Sequence, residues 1–272
     1  MEIKTHKVRM RFGLLLALCF SLSSFSLFAQ SNKEPADKEN EVGATLWQQS
    51  SGEQRALCYQ AFALAKMLVD RDLRSRNKMR RAIIVDIDET ILDNSRYQAR
   101  NIRERKNYPD GWTEWINRAE ATAVPGALEF LKYANARGVR VFYVTNRKPI
   151  EKEGTAQNLK KLGFPEVNDE TLLIRTDTSS DSKEPRRKAI SAKYHVVLLM
   201  GDDLNDFAEV FDNSKTVATR IEATERNKSQ FGTHFIVLPN PMYGNWLNAI
   251  YEYNFKLTEK QKAEKRWNML KD

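Results

Sequence analysis

The sequence is poor in cysteine and histidine, which limits the chemistry it can support. Its 272 residues include two cysteines, Cys19 and Cys58. If Cys19 is lost with the N-terminal segment, no internal disulfide bond can form, and the fold must depend on its core. Cys58 lies in a helical pattern, which indicates a buried, unreactive thiol. The histidines form neither a histidine-based catalytic motif nor a His-x-x-x-His metal site; they are His6, His195 and His234.

Long hydrophobic runs are also missing, except near the N-terminus. Residues 12–28 are largely apolar but are diluted by four serines, and a basic stretch ending at Arg11 precedes them. Ala29, before Gln30, completes a plausible cleavage site, so residues 1–29 are predicted to be a secretory signal peptide. A membrane anchor and lipidation at Cys19 are the alternatives.

This signal predicts an exported protein, either periplasmic, associated with an outer membrane or secreted. Membrane attachment is expected only if Cys19 is lipidated. Residues 30–41 are polar and are predicted to form a disordered linker. The remainder, residues 42–272, is predicted to form one domain.

The sequence has no block of basic residues interleaved with aromatics. Its formal net charge is +8, part of which lies in the N-terminal segment. A modest positive charge attracts anionic substrates. Nucleic-acid binding is not supported, because the basic residues are dispersed.

Five apolar runs follow residue 80, and helical patterns separate several of them. The predicted strands are residues 82–87, 139–144, 172–174, 196–200 and 235–238. Helices are predicted over Ala127–Ala136 and Thr155–Leu162. The alternation predicts an α/β fold, in which a Rossmann-like parallel sheet is flanked by helices on both faces.

The first two strands are too far apart in sequence for a single crossover helix. Residues 93–122, rich in Trp, Tyr, Asn and Arg, are therefore predicted to be an insertion that covers the end of the first strand as a cap. We expect this smaller, mainly helical cap to include the N-terminal helices of residues 42–78. One long C-terminal helix, over residues 243–272, is expected to complete it.

The stretch Ile83-Ile84-Val85-Asp86-Ile87-Asp88-Glu89-Thr90 combines a buried strand with two carboxylates. Ligands of open α/β sheets bind beyond the carboxyl ends of the strands, so Asp86 and Asp88 are expected at the mouth of a site. The pair suits a hard cation such as Mg²⁺ together with a substrate phosphate. It also offers a carboxylate nucleophile and a nearby acid.

Two further strands end in residues that could bind phosphate. Thr145 and Asn146 supply a hydroxyl and an amide that can hold phosphate oxygens, although an ordinary Asn-bearing turn is an alternative. Lys183 precedes a helix and could neutralise a phosphoryl group. The cations that follow it are expected on the surface; they are Arg186, Arg187 and Lys188.

The stretch Met200-Gly201-Asp202-Asp203-Leu204-Asn205-Asp206-Phe207 follows the fourth predicted strand. Its acids could complete an octahedral Mg²⁺ shell. The alternative is an Asx turn in which Asp202 or Asp203 caps a helix. A calcium loop is excluded, because the glycine and the distal glutamate of such a loop are absent.

The order of these motifs resembles the haloacid dehalogenase (HAD) superfamily of phosphohydrolases, whose first motif is Asp-x-Asp-x-Thr. The chain is similar in particular to bacterial class C acid phosphatases of the DDDD type. Their bipartite signature matches residues 84–97 and 197–207. Asp203 departs from the Asn or Thr that is usual in this signature, and it could add charge near the metal or face solvent.

The resemblance implies a role for each of the central residues. Asp86 would attack phosphorus and form an aspartyl-phosphate, and Asp88 would protonate the leaving alkoxide and then activate water. Mg²⁺ would be held by the carboxylates of Asp86 and Asp202, the backbone carbonyl of Asp88 and waters.

The surrounding residues would bind the phosphoryl group and orient the centre. Thr145 and Lys183 would hold the phosphoryl oxygens, and Lys183 would also pair with Asp86. Asp206 would orient Lys183 or a metal-bound water.

Members of this family accept nucleoside monophosphates and stack the base between aromatic side chains. Trp112 and Tyr243 are the residues that the resemblance assigns to this role, with helix packing as the alternative. For Trp115, packing is expected.

The sequence therefore predicts an exported, Mg²⁺-dependent acid phosphatase that hydrolyses small phosphomonoesters, including 5′-nucleotides. A phosphotransferase on the same fold is one alternative. A non-catalytic surface protein that binds a nucleotide or a metal is another. A homodimer is possible from the sequence, but nothing in it requires one.

Overall fold

The computed structural model describes residues 38–176 and 180–271. The predicted signal peptide, Cys19 and residues 30–37 of the predicted linker lie outside these ranges. The first helix, α1 (Glu39–Ser50), begins before residue 42, so the predicted linker extends too far at its C-terminal end.

A five-stranded parallel sheet forms the centre of the described chain. Its order is β5-β4-β1-β6-β7, and a separate antiparallel pair joins β2 to β3. The strands are β1 (Arg81–Val85), β2 (Leu92–Asp93), β3 (Thr122–Ala123), β4 (Arg140–Thr145), β5 (Leu172–Ile174), β6 (His195–Gly201) and β7 (Phe235–Val237). All five predicted strands of the central sheet are present, and the α/β fold class is confirmed.

Helices cover both faces of the central sheet. Besides α1 they are α2 (Gly52–Leu73), α3 (Ser95–Glu104), α4 (Trp112–Arg118), α5 (Ala127–Ala136), α6 (Lys152–Leu162), α7 (Glu184–Ser191), α8 (Glu209–Asp212), α9 (Val217–Arg226), α10 (Asn245–Ile250) and α11 (Glu259–Asn268). Short 3₁₀ helices span Pro149–Glu151, Leu204–Asp206 and Lys228–Gln230. Among the described residues, no helix has both the length and the apolar character needed to cross a membrane.

The core has two parts because alternate residues of a strand point to opposite faces of the sheet. Ile83 and Val85 of β1 pack in one cluster with side chains of α2 and α5. Ile84 packs in the other cluster, with Phe211 of α8 and Ala223 of α9. The sheet is therefore buried on both sides, as its continuous apolar strands require.

The set of helices that forms the cap differs from the predicted set. α3, α4 and the β2–β3 pair form the insertion after β1, and α1 contacts α3. α2 instead contacts α5, β6 and β7, so it belongs to the layer that covers the sheet. Its buried side chains, including Phe62 and Leu68, explain this position.

The prediction of one long C-terminal helix is wrong. α10 contacts α9, and the helix stops before Glu252 and Tyr253, whose φ angles are positive. The chain re-enters a helix at α11, where Thr258 and Gln261 form a capping box. The sequence pattern of residues 243–272 does not indicate this break between the two helices.

A close backbone approach fixes the insertion against the sheet domain. Gly154 in α6 faces the end of α4, and a Cβ atom at this position would lie 2.7 Å from the carbonyl oxygen of Ile116. Only glycine leaves room for this contact. The insertion is thereby held beside β4 and its loop.

Candidate active site

Three acidic side chains meet at the carboxyl end of the central strands. Asp86 follows β1, and its backbone N–H donates to the carbonyl oxygen of Met200 in β6 at 2.9 Å. Asp202 follows β6, and Asp206 closes the next 3₁₀ turn. One carboxylate oxygen from each of these three aspartates lies within 4.8 Å of the others.

Gly201 allows Asp206 to reach this cluster. The carboxylate of Asp206 lies against the Cα atom of Gly201, in the space that a Cβ atom would fill. Asp206 also accepts a hydrogen bond from the backbone N–H of Asp203 at 3.0 Å. The turn therefore fixes the position of its last acid.

Lys183 lies between two of the acids. Its ammonium donates to Asp86 and, at 2.6 Å, to Asp206 Oδ1. Burial alone would lower the pKa of Lys183, but the charges of Asp206 and Asp86 outweigh it and raise the pKa. The side chain therefore stays charged beside the carboxylates.

The acids are crowded beyond what one lysine can neutralise. Burial, together with the charges of Asp206 and Asp88, raises the pKa of Asp86 against the opposing effect of Lys183. Burial and the charges of Asp206 and Asp86 raise the pKa of Asp202 well above its usual range. Such a set of oxygen ligands with unbalanced negative charge fits a hard divalent cation.

Asp88 does not join the three-aspartate cluster through its carboxylate. Arg147 donates to Asp88 Oδ1 from Nη2 at 2.6 Å and from Nε at 3.1 Å, and Asn94 donates to the same oxygen at 2.8 Å. Sequence reasoning did not assign a role to Arg147 or Asn94. The position of Arg147 directly after Thr145-Asn146 was the available signal.

Asp202 is held by two further residues that the sequence did not single out for this role. The Thr90 hydroxyl donates to Asp202 Oδ1 at 3.2 Å, and the Asn240 amide donates to Oδ2 at 2.8 Å. Thr90 belongs to the first motif, whereas Asn240 comes from the loop after β7. These hydrogen bonds orient the carboxylate towards the cluster.

Two residues predicted to bind phosphate, Thr145 at the end of β4 and Asn146 directly after it, differ in their surroundings. Thr145 is fully buried, and its hydroxyl oxygen accepts the backbone N–H of Arg147 at 3.2 Å. The Asn146 amide donates to the Asp181 carbonyl at 2.7 Å and accepts from Arg186 at 2.6 Å. The Asn146 side chain thus holds the Lys183 loop, and its phosphate-binding role stays a prediction.

The cations after Lys183 are not all on the surface, contrary to expectation. Arg186 donates to the Thr145 carbonyl at 2.6 Å, and Arg187 is buried against Glu184 and the Asn205 carbonyl. Lys188 is exposed. Two of the three therefore fix the Lys183 helix to the neighbouring loops.

Asp203 neither faces solvent nor joins the acid cluster. Its carboxylate accepts hydrogen bonds from the backbone N–H of Asn205, from Arg220 and from Asn245. Arg220 is buried. Asp203 therefore joins its own turn to α9 and to the start of α10.

The two aromatic residues proposed to stack a base differ in exposure, and their stacking role stays a prediction. Trp112 is 8% exposed, and its ring packs edge to face with Tyr97 and Tyr108. Tyr243 is partly buried. Trp115 is buried and donates to Asn94 Oδ1 at 2.8 Å, in agreement with a packing role.

Comparison with known proteins identifies the family. A sequence model described as "HAD superfamily, subfamily IIIB (Acid phosphatase)" matches residues 19–246. The structure of the class C acid phosphatase from Bacillus anthracis is 40% identical, with a TM-score of 0.82, over 86% of this chain and 97% of that one. A second structure of that enzyme, with tungstate bound, agrees equally well.

Two plant proteins are more distant relatives. The stem 31 kDa glycoprotein of Glycine max is 25% identical over 59% of this chain and 58% of its own length. The stem 28 kDa glycoprotein of the same plant is 25% identical over 45% of this chain and 51% of its own length. The chain thus spans little more than half the length of these relatives.

The order of the parallel strands and the acids beyond their carboxyl ends agree with a HAD-type fold. The chain belongs to the acid phosphatases of HAD subfamily IIIB, and its resemblance to class C enzymes is confirmed.

Proposed function

We propose that the protein is an exported, Mg²⁺-dependent acid phosphatase that hydrolyses phosphomonoesters through an aspartyl-phosphate on Asp86. The observation that carries this proposal is the meeting of Asp86, Asp202 and Asp206 at one edge of the sheet, where Lys183 pairs with Asp86 and Asp206. The tungstate bound to the relative supports it, because tungstate is a tetrahedral oxyanion like phosphate.

In this mechanism, Asp86 forms a bond to phosphorus while the bond to the leaving oxygen breaks. Asp88 gives a proton to that oxygen, so the leaving group departs as an alcohol. Asp88 then takes a proton from water, whose oxygen attacks phosphorus and releases Asp86. Lys183 reduces the repulsion between the nucleophile and the phosphoryl oxygens.

Asp86 and Asp202 would hold the Mg²⁺ ion, with Asp206 close enough to bind it directly or through water. The bound ion would supply positive charge that brings two anions together. The donor set fits this ion, because it consists of carboxylate oxygens.

The substrates we propose are small phosphomonoesters, including nucleoside 5′-monophosphates. The loop that carries Tyr243 supports this choice, since Asn240 connects it to Asp202 of the acid cluster. The predicted signal peptide supports export to a periplasm or beyond. If Cys19 is lipidated, the protein would be attached to a membrane. A homodimer is a further part of this proposal.

The test is phosphate release from a panel of phosphomonoesters, first with Mg²⁺, then with a chelator, and finally with Mg²⁺ restored. We expect release from several esters, loss with the chelator and recovery with Mg²⁺. Equal rates with the chelator would contradict the metal dependence. Absence of phosphate release from every ester would favour a non-catalytic binding protein, and transfer to an added alcohol would reveal a phosphotransferase.

A further inference from the structure

Asp88 is held by a guanidinium fork. Arg147 contacts both of its carboxylate oxygens, with Nε at 3.1 Å from Oδ1 and 3.2 Å from Oδ2, and with Nη2 at 2.6 Å from Oδ1. A planar guanidinium fixes the plane of a carboxylate, which a lysine ammonium cannot do. The orientation of Asp88 is therefore set by Arg147.

Arg147 is itself fixed in place. Only 3% of the residue is exposed, Nη1 donates to Thr155 Oγ1 at 3.0 Å, and the guanidinium lies 5.8 Å from the centre of the Trp112 ring. Among the described residues, Asp88 is the carboxylate with which it forms an ion pair. A buried cation with one counter-charge holds that partner firmly, because separating them leaves an uncompensated charge.

The two oxygens of Asp88 are not equivalent. Oδ1 accepts from Arg147 Nη2, from Arg147 Nε and from Asn94, whereas Oδ2 has one contact, the shared one from Nε. The Asp88 side chain is 22% exposed, so the less occupied oxygen can be reached from the cleft. This oxygen has the most free lone-pair capacity, so it is the one that can contact a group bound in the cleft.

We propose that Arg147 is a positioning residue that anchors Asp88 Oδ1 and turns Oδ2 towards the leaving group. This inference rests on the proposed function. During phosphoryl transfer, the bond from Asp86 to phosphorus forms, the bond from phosphorus to the ester oxygen breaks, and a proton moves from the Asp88 carboxyl group to that oxygen. Arg147 acts through Asp88, whose Oδ1 it holds by two hydrogen bonds and whose Oδ2 it contacts through Nε.

The inference predicts an effect that depends on the leaving group. An alkyl phosphate, such as a nucleoside 5′-monophosphate, releases a strongly basic alkoxide that needs a proton. p-Nitrophenyl phosphate releases a weakly basic phenolate that needs little help. Because kcat/KM covers the steps up to departure of the leaving group, it reports this protonation separately from later hydrolysis.

The experiment compares kcat/KM for both esters in the wild-type protein, Arg147→Met and Arg147→Lys. Since general acid catalysis contributes about 10²–10⁴-fold, we expect Arg147→Met to lose about 10²-fold with the alkyl ester and less than about tenfold with the aryl ester. Arg147→Lys keeps the charge but not the fork, so it should show the same selective loss to a smaller degree. It also keeps the test valid if Arg147→Met does not fold.

Arg187→Lys is the matched control. Arg187 is also buried and also contacts a carboxylate through two nitrogens, but that carboxylate is Glu184. We expect this variant to change both esters by the same factor. Equal losses for both esters in the Arg147 variants would overturn the inference and leave the proposed function intact. Inactivity of the wild-type protein towards both esters would overturn the proposed function and this inference with it.

Discussion

An ion pair between Asp203 and the buried Arg220 connects the last acidic motif to α9. Arg220 Nη2 lies 3.2 Å from Asp203 Oδ1, and the backbone N–H of Asn245 donates to Asp203 Oδ2 at 2.6 Å. Among the described residues, Asp203 is the acid with which Arg220 forms an ion pair. Asp203 therefore has a structural role, in which it joins its own turn to α9 and to the start of α10.

Replacing this acid tests that assignment. Asp203→Asn should lower the free energy of unfolding by about 3 kcal/mol, because it leaves Arg220 buried without a counter-charge. Denaturant unfolding measures this loss. The double variant Asp203→Asn with Arg220→Met should recover much of the stability, since both charges are then gone. An Asp203→Asn protein as stable as wild type would contradict the assignment.

The acids of the candidate site were easier to predict from sequence than the residues that hold them in place. Asp86, Asp88 and Asp202 each follow an apolar strand, so their position at the sheet edge follows from the pattern alone. Arg147 and Asn240 bind those acids across the fold, and their partners are 59 and 38 residues away in sequence. No local pattern records such contacts.

At the scale of the elements, one acid connects three of them. Asp72, near the end of α2, accepts from Arg81 Nε at 2.6 Å at the start of β1, and its Oδ2 lies 2.7 Å from His195 Nε2 at the start of β6. Burial alone would raise the pKa of Asp72, but the hydrogen bonds with His195 and Arg81 outweigh it and lower the pKa. Asp72 in its ionised form therefore stabilises the folded state.

Asp72→Asn should lower the free energy of unfolding by about 1–3 kcal/mol at pH 7, since hydrogen bonds to a charged group are lost. The contribution is complete above the unfolded pKa of about 3.9 and is lost as the pH falls through the lower folded pKa. Urea unfolding at several pH values should show that the variant and the wild-type protein differ less in free energy of unfolding as the pH falls. A difference that is constant with pH would contradict this account. The exposed Asp169→Asn is the control, and its stability should match that of the wild-type protein at every pH.

The strands were predictable because each is a short apolar run that a two-sided sheet requires. The assignment of helices to layers was not predictable, because α2 has an apolar face that could pack against either the cap or the sheet. Burial of Phe62 and Leu68 in the main core decides for the sheet. The break between α10 and α11 depends on positive φ angles at two ordinary residues, which composition does not indicate.

At the scale of the whole described chain, the site exists only because the sheet brings distant segments together. Asp86 and Lys183 are 97 residues apart in sequence and form an ion pair. Neighbouring parallel strands end at the same edge, so the loops that follow them share one cleft. The insertion between β1 and β4 adds Asn94 and Trp112 beside that cleft, close to Asp88 and Arg147.

The most direct measurement is phosphate release by Asp86→Asn in the presence of Mg²⁺, with thermal unfolding of the same sample. We expect turnover to be abolished while a cooperative unfolding transition remains, because the amide keeps the shape of the carboxylate but is not a nucleophile. Asp169→Asn, which changes an exposed acid, should retain wild-type turnover. Sustained phosphate release by a folded Asp86→Asn protein would contradict the account.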